Sequence, residues 1–318
     1  MDVVSDAVSA IRSGRPMSAR THLAAPWGLE FPAAQGAGFH VVIQGSCWLL
    51  PPGPGEPVAL SSGDVVFVAQ GQRIALADHP ERRLVPVTQE MDDAWRPARP
   101  ARSGPTTVLI CGSYQLDQVR QHPVLQQLPA YIHIPKRVGH HGSLSSVIDL
   151  LGSELDARRP GTDAIVPALL DTMLLYILRA WYEDEAAQST GGWARALHDP
   201  AVSAALHHIH REPGRAWTVA ELGTPAGLSR AAFSRRFSSL VGQSPLAYLT
   251  WWRMTIAGRQ LQGTDTALRT IAQRVGYTSE FAFNRAFKRE YGTTPGTYRR
   301  QHAGAYGAGP GDLGPDAI

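Results

Sequence analysis

The sequence is poor in cysteine and in charge, and it has no long unbroken apolar run. Two cysteines in 318 residues, Cys47 and Cys111, exclude a disulfide-built scaffold. Charged residues make up only 18%, but a hydrophobic share of 43% excludes wholesale disorder. The most apolar stretch, Ile165 to Tyr182, is interrupted by Pro167, Asp171 and Arg179, which argues against a membrane span. Asp2, Asp6, Arg12, Arg15 and Arg20 leave no apolar core for a secretory signal in the first twenty residues, so a soluble, cytoplasmic protein is expected. The length suits about two domains.

The net charge of +3 hides an uneven distribution. From Arg211 to His302 there are 14 Lys and Arg against 5 Asp and Glu, a net of +9, and the rest of the chain carries −6. A compact basic part joined to a mildly acidic one reads either as a solvated face or as a module that neutralises phosphates.

Residues 20–90 hold short apolar runs, Phe39 to Ile43, Cys47 to Leu50 and Val65 to Val68, separated by Gly and Pro turns. That spacing predicts an antiparallel β barrel or sandwich. A polar, Pro-rich loop is expected at 92–105, then a returning strand from Thr107 to Cys111. From Leu144 the period becomes helical, with Leu144, Val147, Ile148 and Leu151, then Leu170, Leu174, Ile177, Leu178 and Trp181. Two amphipathic helices are expected, either covering the barrel or forming a dimer interface. His207, His208 and His210 are expected on a polar helix face.

The basic part contains an internal duplication. Ser229, Phe233, Arg235, Phe237, Gly242, Pro245 and Tyr248 recur 50 residues later as Ser279, Phe283, Arg285, Phe287, Gly292, Pro295 and Tyr298. Upstream the offset is 49, matching Leu222 to Ile271 and Gly227 to Gly276. Each copy reads as a helix-turn-helix. Thr218 and Glu221 form a capping box, Gly227 supplies a left-handed turn, and Ser229 caps a second helix, 230–241. Phe233 and Phe237 at i, i+4 belong to the core, as do Phe283 and Phe287.

The opposite stripes then carry Ala231, Ser234, Arg235 and Ser238 in the first copy. In the second they carry Glu280, Phe281, Asn284, Arg285 and Lys288. Arg and Asn side chains can make paired hydrogen bonds to guanine and adenine edges, and Phe281 can meet a thymine methyl or shield the turn. Residues 245–262 are expected to form one connecting helix of roughly 25 Å, with Leu246, Leu249, Met254, Ala257 and Leu261 suited to burial. Gly223-Thr-Pro225 is expected to end the first helix early, and Gly258 to cost the connecting helix about 1 kcal/mol.

These residues, with Ile271-Ala-Gln-Arg-Val-Gly-Tyr-Thr-Ser279, Phe283-Asn-Arg-Ala-Phe-Lys288, Gly292-Thr-Thr-Pro295, Trp252-Arg-Met254 and Gly242-Gln-Ser-Pro245, resemble the DNA-binding domain of the AraC/XylS family over about 95 residues. The resemblance implies base reading by Arg235, Asn284 and Arg285, with Ala231, Ser234, Glu280 and Phe281 on the same faces. Arg230, Arg236, Lys288 and Arg289 would contact phosphates. It implies promoter DNA as partner, RNA polymerase as a second one, and activation as the commoner mode.

His40-Val-Val-Ile-Gln-Gly-Ser-Cys-Trp48, Gly63-Asp-Val-Val-Phe-Val-Ala-Gln-Gly71 and Cys111-Gly-Ser-Tyr114 resemble the cupin-type sensor that precedes this domain. Metal cupins supply two histidines two apart and a further one after Pro-x-Gly. Here Val42 and Ile74 occupy such positions, so neither metal nor cofactor is expected. A cupin metal enzyme fused to a DNA-binding module is the alternative reading. Some regulators of this subgroup sense oxidants through cysteines, so Cys47 and Cys111 are either sensing thiols, aided by His40, or small buried hydrophobes.

The expected fold is thus α+β. A cupin-like barrel spans 1–130, a helical connector with possible homodimer helices 131–198, an all-α DNA-binding domain 199–302 and a disordered tail 303–318. The signal is a small molecule or a redox change, its identity unknown.

Overall fold

The computed structural model describes residues 2–11, 16–33, 36–53, 55–69, 72–87, 104–114, 122–137, 139–157, 159–188 and 191–302. Most of the Pro-rich loop 92–105 and all of the tail 303–318 lie outside the described residues. The chain divides into two compact units, one of residues 11–187 and one joining residues 1–10 to 188–318. The sequence boundaries at 130/131 and 198/199 are not where this division falls.

The first unit is built on strands β1 (Met17–Ala24), β2 (Gly28–Phe31), β3 (Ala37–Gln44), β4 (Ser46–Leu50), β5 (Val58–Ser61), β6 (Val65–Val68), β7 (Ile74–Ala77), β8 (Val85–Pro86), β9 (Thr106–Tyr114) and β10 (Ile132–Ile134). They form two five-stranded sheets, ordered β1-β9-β3-β6-β10 and β5-β4-β7-β2-β8. The pairings are antiparallel except β2 with β8. One core is shared by both sheets: Val42, Val66, Val68, Leu109 and Cys111 from the first, Leu29, Cys47, Leu49, Leu60, Ile74 and Leu76 from the second. The barrel expected from the strand spacing therefore takes the form of two cupin-like sheets and not a closed ring. Gly45 explains how one hydrophobic run serves both sheets. It lies between β3 and β4 at φ +80, and a side chain there would strike the Thr106 carbonyl.

Helix α1 (Val3–Ile11) belongs to the other unit. Within the sheet unit, α2 (Pro123–Gln126) is a single turn, followed by α3 (Gly142–Ala157) and α4 (Thr162–Gln188). The two long helices of the expected connector are part of this unit because they bury their apolar faces in it. Leu144, Val147, Ile148 and Leu151 of α3 are buried, as are Leu170, Leu174, Ile177 and Leu178 of α4, with Trp181 half-buried. The Arg20 guanidinium of β1 donates to the Gly152 carbonyl and pairs with Asp156, fixing α3 to the sheet. Tyr114, at the end of β9, donates to the Leu170 carbonyl at 2.8 Å, and Tyr182 donates to the Val124 carbonyl at 2.6 Å. By length and composition α4 is apolar enough to cross a bilayer, a test that core helices of soluble proteins also pass.

The second unit contains α1, α5 (Gly192–His198), α6 (Pro200–Arg211), α7 (Val219–Gly223), α8 (Arg230–Val241), α9 (Pro245–Gly263), α10 (Leu268–Arg274), α11 (Glu280–Tyr291) and α12 (Pro295–His302). The duplication of the sequence becomes a duplicated structure, α7–α8 and α10–α11, joined by α9. At 19 residues α9 is about 28 Å long. The second helix of each copy starts on a serine cap, Ser229 or Ser279, and ends at a left-handed glycine, Gly242 or Gly292. The proline of Gly223-Thr-Pro225 does shorten the first helix. After Gly223 the chain winds as a 3₁₀ turn over Thr224–Ala226, and Gly227 reverses it at φ +63.

Two expectations for α9 fail. Leu246 is 42% exposed, because it lies off the face of the first turn that buries Pro245, Tyr248 and Leu249. Gly258 is no defect. A Cβ at that position would collide with the Tyr291 ring and hydroxyl, which donates to the Met254 carbonyl at 3.2 Å. The glycine is what lets α11 lie close to α9.

Candidate nucleic-acid interface

The phenylalanines beneath the second helix of each copy are fully buried: Phe233 and Phe237 under α8, Phe283 and Phe287 under α11. Around the second pair lie Met254, Ala257, Leu261, Ile271, Val275, Ala286 and Tyr298. Burying these faces turns the opposite stripes outward, as the spacing predicts. Ala231 and Arg235 of α8 are exposed and Ser234 is half-buried, while Glu280, Phe281 and Arg285 of α11 are exposed and Asn284 is half-buried. Arg230, Lys288 and Arg289 are exposed beside them. Among the described residues no carboxylate pairs with Arg230, Arg235, Arg285 or Lys288, so their charges are available to an anionic partner.

Arg236 stands differently from the phosphate contact expected of it. Its Nε donates to Asp199 at 2.6 Å, and Asp199 also caps α6 by accepting from the Ala201 and Val202 amides. These bonds outweigh the effect of burial and hold the Asp199 carboxyl below its usual range. A groove of about 380 Å³ runs past this pair, lined by Arg195, Arg235, Arg236, Leu228 and Leu240 among others. Asn284 is also partly committed, since its side-chain amide donates to the Glu280 carbonyl at 3.0 Å.

Arg253, in the Trp252-Arg-Met254 motif, holds the unit together from within. It donates from Nε to the Pro213 carbonyl at 2.6 Å and from Nη2 to the Arg215 carbonyl at 2.8 Å, and its guanidinium lies 5.8 Å from the Tyr277 ring centre. One side chain of α9 thus contacts the approach to the first helix-turn-helix and the turn of the second.

His210 overturns the polar-face expectation. It is buried, its Nδ1 is 2.9 Å from Asp6 Oδ2 and its Nε2 is 2.7 Å from the Tyr248 hydroxyl. Its ring stacks on Trp252 with centres 4.1 Å apart. Burial lowers its pKa, and the Asp6 bond opposes that. A neutral ring that donates from Nδ1 to Asp6 and accepts at Nε2 from Tyr248 satisfies every group. Nothing in the sequence near position 210 signals a partner 204 residues away. Only the apolar positions Val3, Ala7 and Val8 mark α1 as a helix with a face to bury.

In the sheet unit, His40 and Cys111 are neighbours across β3 and β9, with Nδ1 3.1 Å from Sγ. Burial pushes the His40 pKa down to about 3, so the ring is neutral and offers no cationic support for a thiolate. Cys47 is on the other sheet and is 2% exposed. Burial, with a smaller contribution from the Asp64 charge, pushes its thiol up to about 12. Neither cysteine is held in a disulfide. Among the described residues no three His, Cys, Asp or Glu side chains come together as a metal site, and Ile74 is buried in the core.

Comparison with known proteins matches both halves. Residues 2–183 match the cupin family and residues 222–301 a helix-turn-helix domain family. An AraC-like transcription regulator of Streptomyces lividans is 34% identical over 94% of this chain and 98% of its own. The HTH-type transcriptional regulator AlkR of Acinetobacter baylyi is 30% identical over 86% of this chain and 91% of its own. The RCS-specific activator RclR of Escherichia coli is 28% identical over 86% and 95%. Among solved structures, the DNA-binding domain of AdpA in complex with a target DNA is 32% identical, covering 32% of this chain and 92% of that one with a TM-score of 0.31.

Proposed function

The chain belongs to the AraC-like transcription regulators, and from that we propose that it reads an asymmetric promoter site through α8 and α11, laid in successive major grooves. One observation carries the proposal: two copies of one helix-turn-helix, each with its phenylalanines buried and its outward arginine, Arg235 or Arg285, paired with no carboxylate among the described residues, on a segment of net charge +9. The connecting α9, about 28 Å long, suits helices that enter grooves about 34 Å apart on one face of the duplex. Arg235 and Arg285 would read guanines, while Arg230, Lys288 and Arg289 would hold phosphates. Arg236 would join them only by leaving Asp199.

The cupin part is read as a sensor. Signal recognition there, by a small molecule or by oxidation at Cys111, would move β9. Tyr114 at its end would carry the movement to α4 through the Leu170 carbonyl. The oxidative variant would have to act at Cys111 without a cationic His40 beside it, and loss of an oxidant response in Cys111→Ser would support it. Recruitment of RNA polymerase, self-association as a homodimer and a cytoplasmic site of action complete the reading. A catalytic cupin is not favoured, since Val42 and Ile74 stand where a metal cupin needs histidines. Stoichiometric iron, manganese or zinc in the purified chain would reopen it.

The test is a titration of labelled genomic fragments with the full chain at several salt concentrations. A preferred fragment bound with a steep salt slope is expected, and Arg285→Ala should lose roughly 1–3 kcal/mol of that preference. Equal binding to all fragments, or a preference untouched by Arg285→Ala and Arg235→Ala, would refute the assignment.

A further inference from the structure

We propose that α11 reads a thymine next to a guanine, with Phe281 against the thymine methyl and Arg285 on the guanine edge. The inference rests on the proposed DNA reading and names what one of its helices selects.

Phe281 is the anomaly that prompts it. At 71% exposed it is the most open large apolar side chain among the described residues, on a helix whose other two phenylalanines are fully buried. An aromatic ring left in water on a recognition stripe gains by covering something apolar. Of the four base pairs, only those with thymine present an apolar group in the major groove, the C5 methyl. One turn further along the helix, the Arg285 guanidinium lies over the Phe281 ring, 5.9 Å from its centre. The ring thereby holds the guanidinium next to the position of its own contact, and a guanidinium is the group that pairs with guanine O6 and N7.

The other outward groups narrow the choice. Asn284 commits one of its two amide protons to the Glu280 carbonyl and is half-buried, so Phe281 and Arg285 are the more open groups of the stripe. The first unit supplies an internal control. The positions 50 earlier are Ala231 and Arg235, an arginine without the aromatic ring. The guanine contact is then common to both helices, and the thymine preference belongs to α11 alone.

The experiment is in vitro selection of duplexes from a random pool by the full chain, followed by base replacement in the preferred duplex. The site is expected to contain a thymine–guanine step whose guanine preference disappears in Arg285→Ala. Replacing that thymine by deoxyuridine removes only the methyl. It should weaken binding by the native chain about fourfold, the equivalent of one buried methyl group. Phe281→Ala should bind the two duplexes alike, and since the ring is exposed the variant should melt with the native chain. Indifference of the native chain to deoxyuridine, or full discrimination by Phe281→Ala, would overturn the inference. A preferred duplex without a thymine–guanine step would overturn it and leave the DNA reading standing. A pool that yields no preferred duplex would bring down both.

Discussion

Asp6→Ala is the sharpest perturbation the structure offers, because it sits at the opposite end of the sequence from the unit it should destabilise. Asp6 is 5% exposed on α1 and accepts from His210 Nδ1 at 2.9 Å. Alanine removes a hydrogen bond between the Asp6 carboxylate and the buried His210 ring, a loss of roughly 2–3 kcal/mol for the unit. Asp6→Asn keeps an acceptor and should lose about half as much. The assay is urea unfolding of the full chain followed by tryptophan fluorescence, since Trp252 stacks on the His210 ring. The pH dependence supplies a second readout. Burial lowers the His210 pKa below its unfolded value near 6.5, so the unfolded chain binds the proton first. The stability contributed by the neutral ring is therefore complete above about pH 6.5 and declines as the pH falls below it. Asp6 is the counterweight that raises the His210 pKa, so its removal should enlarge that acid-side loss. A change below about 0.5 kcal/mol at pH 7.5, with an unaltered acid slope, would refute the placement of α1 in the DNA-binding unit.

Three further outcomes follow from other contacts. Gly258→Ala should destabilise by roughly 1–3 kcal/mol despite the better helix propensity of alanine, and pairing it with Tyr291→Phe should recover part of the loss. A thermal melt in which the single variant gains stability would contradict the packing. The sheet unit should lose stability as the pH drops from about 6.5 toward 3, because His40 stays neutral down to about 3 in the fold. The ceiling of that loss is about 5 kcal/mol, readable by urea unfolding at pH 7 and pH 4, and removed if His40 is replaced by an apolar residue. Cys47, with its thiol pushed up to about 12 and its side chain in the core, should resist alkylation at pH 8 in the native chain and react in urea. Equal rates in the two conditions would mean that the thiol is reachable.

Much of this protein is written in short-range sequence. The capping box of Thr218 and Glu221, the left-handed glycines Gly227, Gly242 and Gly292, and the paired phenylalanines of α8 and α11 are where their spacing puts them. Each is a matter of hydrogen bonds or helix faces within a few residues, and the duplication repeats all of them but the capping box, whose place in the second copy is taken by Ala267 with no side-chain cap. The same holds for the short apolar strands of the cupin part and the apolar stripes of α3 and α4.

What only the tertiary structure decided are the partnerships between distant positions. The sequence does not reveal that α1 belongs with the DNA-binding unit through Asp6 and His210, or that α3 and α4 belong to the sheet unit through Arg20 and Tyr114. Nor does it reveal that Gly258 makes room for Tyr291, that Arg236 answers Asp199, or that Cys111 meets His40. The physical reason is common to all of them. A helix or turn is selected by bonds between near neighbours, whose residue types and spacing are visible along the chain. A long-range polar contact or a close helix crossing depends on which surfaces chain reversal brings together, and residue type alone leaves many partners equally suitable.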